Sequence, residues 1–171
     1  SLLVHPKRHA TVIRMRTGAT NDGKLTAIEA TLYGDGGAYA SLSEKVLTRA
    51  TTHASGPYDV PNVRVDCFAT YTNNVPAGAF RGFGVTQSCF AAESNMDILA
   101  GKLGLDPVEF RRLNALEVGS TTVTGQVMRE SVGLLECIDK VDADMRDADF
   151  RWTWDEGHKR LAWGLAIGYK N

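Results

Sequence analysis

The sequence predicts an α+β fold in which antiparallel strands carry helices packed against them. Three observations predict it. His9 to Thr17 alternates roughly and is rich in Val, Ile and Thr, and the turn signal Asn21-Asp22-Gly23-Lys24 joins it to a second such stretch, Leu25 to Tyr33. That is the pattern of a hairpin. Apolar residues recur at helical spacing from Thr86 to Leu103 and stop at Gly104, where glycine suits a left-handed C-terminal cap. Asp106-Pro107 then sets a side-chain cap before a proline at the first helical position, so Pro107 to Leu116 forms a further helix.

The remaining elements follow in order. Gly34-Asp35-Gly36-Gly37 is expected to break the second strand, because three glycines hold a ladder poorly. Ser41 to Ala54 suits a helix with Ser41 or Ser43 as N-cap and Val46, Leu47 and Ala50 inward, ended by Gly56-Pro57. Val63 to Thr72 is the next strand, and Asn73 to Gly84 is a loop dense in Asn, Pro and Gly. On the helix after it, Cys89, Phe90, Met96, Leu99 and Leu103 are expected to face the core. Glu117 to Gln126 has linker composition, Ser131 to about Asp147 reads as a third long helix, and Trp163 to Tyr169 reads as a closing strand. Trp152, Trp154 and Trp163 are expected to anchor the core at a domain edge.

Composition bounds the function. A chain of 171 residues can hold one domain with a real core, or pieces of two. At 43% hydrophobic and 23% charged it is of soluble globular type. Nineteen basic residues against twenty acidic give a net charge of -1, which offers no electrostatic case for nucleic acid or an anionic membrane. The chain begins with Ser1 rather than Met, and so reads as part of something longer. Cys67, Cys89 and Cys137 form neither a disulfide framework nor a metal-binding pair, and are expected to be buried, reduced thiols of a cytoplasmic protein. His5-Pro6-Lys7-Arg8-His9 lacks a third metal ligand, and Pro6 blocks a helical register, so it is expected to be a solvated basic patch. His53 and His158 stand alone and are expected to be structural. Glu93, Asp97, Glu109 and Glu117 are expected to lie on solvated helix faces.

The segment that carries chemistry is Asn73 to Gln87. Gly78, Gly82 and Gly84 surround Phe80, Arg81 and Phe83 in a loop that runs straight into a helix. Glycines let a backbone approach a ligand closely. Arg81 supplies a planar fork of donors suited to phosphate or a conjugated heterocycle, and Phe83 could offer its face to a flat ring. The ordinary alternative stays open at this point: loop aromatics commonly plug the space beneath their loop, and loop arginines commonly cap carbonyls or face water. The glycine spacing matches neither a dinucleotide fingerprint nor a P-loop.

Ala79-Phe80-Arg81-Gly82-Phe83-Gly84, with Gln87 three residues on, resembles the AFRGFG segment of the xanthine dehydrogenase and aldehyde oxidase family of molybdenum hydroxylases, and most nearly xanthine dehydrogenase. Gly36-Gly37-Ala38-Tyr39, Arg49, Gly56-Pro57-Tyr58, Pro61-Asn62-Val63, Thr72-Asn73-Asn74 and Arg111-Arg112-Leu113-Asn114 occur in the family's order. The resemblance is clear over residues 5 to 118 and implies a fragment of the molybdenum-cofactor-binding domains. Residues 1–118 would end the first such domain, 119–125 would link, and 126–171 would begin the second.

The resemblance also implies roles. Phe80, Arg81 and Gly82 would bind the molybdenum–molybdopterin cofactor, and Phe83 would pack on the substrate ring. Arg49 would orient the substrate and stabilise the negative charge that hydroxylation builds on an N-heterocycle, although an ordinary helix-surface arginine is the alternative there. The parent enzyme would hydroxylate a purine such as xanthine or hypoxanthine, with water as the oxygen source. Iron–sulfur clusters and FAD would lie on other domains or subunits. Aldehydes, nicotinate or aromatic acyl thioesters are alternative substrates within the family, and a non-catalytic interaction module is an alternative outside it. The family's first cofactor loop would precede residue 1 and its catalytic glutamate would follow Asn171. The chain alone is therefore expected to bind no molybdenum and to be inactive.

Overall fold

A computed structural model describes residues 5–147, 154–156, 159–161 and 163–170. Three strands form one sheet in the order β1 (Thr11–Ala19), β2 (Leu25–Gly37), β3 (Val63–Tyr71). As the turn signal predicts, β1 and β2 pair antiparallel, with Val12 opposite Tyr33 and Arg16 opposite Glu29. β3 instead lies parallel to β2, with Ile28 opposite Val63 and Leu32 opposite Cys67. The sheet is mixed because helix α1 (Ser43–Thr52) intervenes and returns the chain to the end where β2 began. On one sheet face Ile28, Ala30 and Leu32 are buried, while Val12, Arg14, Arg16 and Tyr33 on the other are exposed.

The glycine cluster does not break β2, which runs on through Gly37. Its glycines serve close packing: a Cβ on Gly34 would sit 2.5 Å from the Leu47 side chain of α1. Nor is either serine the cap of α1. Leu42 holds that position, and Ser43 lies inside the helix with its hydroxyl 2.8 Å from His9 Nε2.

Helix α2 (Val85–Leu103) ends at Gly104 in the left-handed conformation, as expected. Met96 is fully buried, but Phe90 is 78% exposed and points away from the core. Helix α3 (Pro107–Asn114) starts at Asp106, whose carboxylate accepts from the Val108 and Glu109 amides. The 117–128 segment is a small hairpin rather than a plain linker: Thr121 bridges Val127, and Gly119 N donates to Met128 O at 2.8 Å. Helix α4 (Leu134–Asp147) follows, then the short strands β4 (Trp154–Glu156) and β5 (Lys159–Leu161).

Residues 163–170 form no strand with the described residues, yet Ile167 packs into the same core as Leu25, Tyr58, Met96, Phe110 and Ile138. Trp163 is 40% exposed and so is not a core anchor. Trp152 and His158 lie outside the described residues, and nothing is described of the Trp154 side chain. Cys67 and Cys89 are half-buried and Cys137 is exposed, against the expectation that all three are buried.

Candidate active-site surface

Arg49 sits in the last turn of α1 and Phe83 on the loop before α2, and both face one concavity. Together with Glu44, Lys45, Thr48, Thr52 and Thr124 they line an open concavity of about 540 Å³. Helical spacing explains the α1 side of it, since residues 45, 48, 49 and 52 stack on one face. On the far side, Gly84 lets the loop lie on α1: an added Cβ would overlap the Val46 carbonyl oxygen, and its φ of 103° is one that side chains rarely adopt. Phe83 is itself left-handed, at φ 49°, and is flanked by Gly82 at 98°. A phenylalanine held there is backbone strain of the kind that collects at functional sites.

Beneath the concavity His53 is buried, its Nδ1 2.9 Å from the Arg49 carbonyl and its ring 4.8 Å from that of Tyr169. Burial pushes the His53 pKa down, and the nearby Arg49 and Lys170 charges push the same way. The imidazole is therefore neutral at pH 7 and adds no charge to compete with Arg49. Its Nε2 has no hydrogen-bond partner among the described residues.

Phe80 and Arg81 are both exposed on the loop and do not line this concavity. The loop between them and α2 is a series of tight turns, with Phe83 N donating to Phe80 O at 2.7 Å and Val85 N to Gly82 O at 3.1 Å. The basic patch at residues 5–9 is solvated at His5, Pro6 and Lys7, as expected, but is also tied to this loop. Gly78 N donates to Lys7 O at 3.0 Å, and Arg8 Nη2 donates to the Arg81 carbonyl at 2.7 Å. His9 is buried, and burial lowers its pKa against the raising effect of Asp35.

The acids divide in a way the sequence did not show. Glu93 is only 5% exposed. It accepts from Tyr58 Oη at 2.6 Å, from Arg111 Nε at 2.9 Å and from the Ile167 amide at 2.9 Å. Burial first, and Glu93 second, push the Tyr58 hydroxyl far up from its ordinary value. Asp97 completes the pairing of Arg111 at 2.7 Å. Glu109 and Glu117 do face solvent. No group of three or more His, Cys, Asp or Glu able to hold a metal exists among the described residues. The exposed Arg81 guanidinium on its glycine-rich loop is donor chemistry that fits the phosphate or heterocycle of an organic cofactor.

The molybdopterin cofactor-binding domain family matches residues 1–115. The chain belongs to the molybdenum hydroxylases. The large molybdopterin subunit of nicotinate dehydrogenase from Eubacterium barkeri is 52% identical over 140 residues, covering 82% of this chain and 33% of that protein. Xanthine dehydrogenase/oxidase of Gallus gallus is 37% identical over 139 residues, covering 81% of this chain and 10% of that protein. In structure, this hydroxylase segment is similar to aldehyde oxidoreductase from Desulfovibrio gigas, with a TM-score of 0.79 and 36% identity, covering 82% of this chain and 15% of that one. It thus spans a third or less of these relatives. The α+β architecture is that of a molybdenum-cofactor-binding domain. No described helix is long and apolar enough to cross a membrane.

Lys45 and Thr124 line the concavity and Arg8 and Thr86 join beside the loop, and none of them was singled out as a site residue in the sequence. Thr124 lies in the apparent linker and Lys45 is one of many helix lysines, so nothing local marks them. The one available signal was Arg8, in a basic cluster directly before a strand.

Proposed function

We propose that this chain is the part of a cytoplasmic molybdenum hydroxylase that presents Arg81 to the pterin and Arg49 with Phe83 to an aromatic N-heterocycle. The shared concavity of Arg49 and Phe83 carries the proposal. Phe83 offers a ring face to a flat substrate. Arg49 supplies positive charge where hydroxylation beside a ring nitrogen builds negative charge. Phe80, Arg81 and Gly82 form the cofactor-facing part of the loop. When bound, the cofactor would supply the two-electron acceptor, with water as oxygen source. Residues 1–118 end the first cofactor-binding domain, 119–125 link and 126–171 begin the second. The other parts of the enzyme carry the catalytic glutamate, the iron–sulfur clusters and FAD.

A purine such as hypoxanthine is the first substrate reading, from Arg49. Nicotinate is the second, favoured by the 52% identity to a nicotinate dehydrogenase subunit and by Lys45 one helical turn from Arg49, which suits a ring carboxylate. Turnover by the full-length enzyme on hypoxanthine, nicotinate and benzaldehyde tests both. Preference for either heterocycle supports the proposal and selects the substrate, and preference for benzaldehyde overturns it. The 171-residue chain alone should hold no stoichiometric molybdenum, which metal analysis checks.

A further inference from the structure

We propose that Arg8 is a positioning residue that fixes how Arg81 and Phe83 are presented, acting through the backbone of their loop. The proposal rests on the reading that this loop faces the cofactor and substrate.

Arg8 is half-buried against four parts of the loop and helix start. Nη2 donates to the Arg81 carbonyl at 2.7 Å. Nη1 donates to Thr86 Oγ1 and, at 3.4 Å, to Gln87 Oε1. The guanidinium also stands 4.8 Å from the centre of the Phe80 ring. Its neighbours are pinned too: Lys7 bridges Ala77, and His9 Nε2 meets Ser43 Oγ of α1 at 2.8 Å. Three consecutive residues thus tie the loop to itself, to α1 and to α2.

Such a tie has work to do. Gly82, Phe83 and Gly84 are consecutive left-handed residues, and a chain hinged by glycines has many alternative conformations. Fixing the Arg81 carbonyl limits them, and a pre-ordered loop loses less entropy when a ligand binds. Only a guanidinium meets every contact at once, since its edge carries several donors and its face rests on a ring. Lysine keeps the charge but has no planar fork. Arg8 engages the Arg81 carbonyl, and the Arg81 side chain stays exposed.

The experiment uses the full-length molybdenum enzyme carrying R8K, R8A, T86V or R81A. It measures molybdenum and pterin retained through gel filtration, kcat and KM per bound molybdenum, and the melting temperature of the cofactor-free protein. Supporting residues around a cofactor site typically cost about 10- to 100-fold in affinity or activity when removed. We expect a loss of that order in retention or kcat/KM for R8K and R8A, a smaller one for T86V, and little change in melting temperature. R8K behaving as wild type, or Arg8 variants that lower only the melting temperature, would overturn the inference. If R81A releases cofactor while R8K and R8A do not, the positioning role alone fails. If R81A also retains it fully, the reading of the loop fails with it.

Discussion

The two ends of α2 use arginine in opposite ways. Toward its C-terminal half, Arg111 is wholly buried, with Glu93 and Asp97 on its guanidinium and the Pro107 carbonyl on its Nη1. At its N-terminal end, Arg81 is exposed on a loop of left-handed residues. A buried charge is tolerated only when paired and hydrogen-bonded, so Arg111 and Glu93 answer to each other and are explained by the fold. Arg81 stays exposed and the strained Phe83 only half-buried, and it is there that we propose the cofactor and substrate are met. What separates the structural arginine from the one proposed to meet the cofactor is its surroundings, and both lie on or beside a single helix.

Breaking the buried end should give the largest effect. R111A would leave Glu93 buried without its cation and should destabilise the chain by about 3–5 kcal/mol in urea unfolding. A loss below about 1 kcal/mol, within the range of exposed pairs, would erase the contrast. N114A comes next. Asn114 accepts from Leu25 N at 2.8 Å and donates to the Gly23 and Phe110 carbonyls, both at 2.9 Å. Its removal strands buried groups and should cost about 1–3 kcal/mol. R81A at the other end should change stability by no more than about 0.5 kcal/mol, as for surface sites, while lowering the molybdenum content of the full-length enzyme. Equal stability losses for R81A and R111A in the same denaturation series would mean that the two ends do not differ.

The smallest expected effect is a pH dependence at the concavity. His53 has a folded pKa below its ordinary 6.5, so the unfolded chain takes up a proton first as pH falls. Its contribution is fully present above pH 6.5 and is lost as pH drops through the lower folded value. The melting temperature should therefore decline on that acid limb, and H53Q should flatten the decline. His9, shifted the same way by burial, supplies a remainder that H53Q leaves in place. An identical slope in H53Q would show that His53 does not titrate with unfolding.

Much of this was legible residue by residue. The Asp106-Pro107 cap, the Gly104 stop and the hairpin turn each appear where the sequence places them, because each is caused within a few residues. The loop motif was legible as a family resemblance. Glu93 was not, because a carboxylate on a helix is normally solvated and only its partners reveal otherwise. The glycine run at 34–37 misled for a related reason: its use is to admit the Leu47 side chain, which no local pattern displays.

Local chemistry alone therefore accounts for the β1–β2 hairpin, the helices, the Gly104 and Asp106 caps and the presence of a glycine-hinged loop bearing Phe80, Arg81 and Phe83. Three-dimensional packing decided the parallel placement of β3, the buried Glu93–Arg111 pair, and the grip of Arg8 on the loop. These depend on residues far apart in the chain: 18 positions separate Glu93 from Arg111, and 73 separate Arg8 from Arg81. Contacts of that span exist only once the core has closed, since closing the intervening chain costs entropy that the packed core must repay.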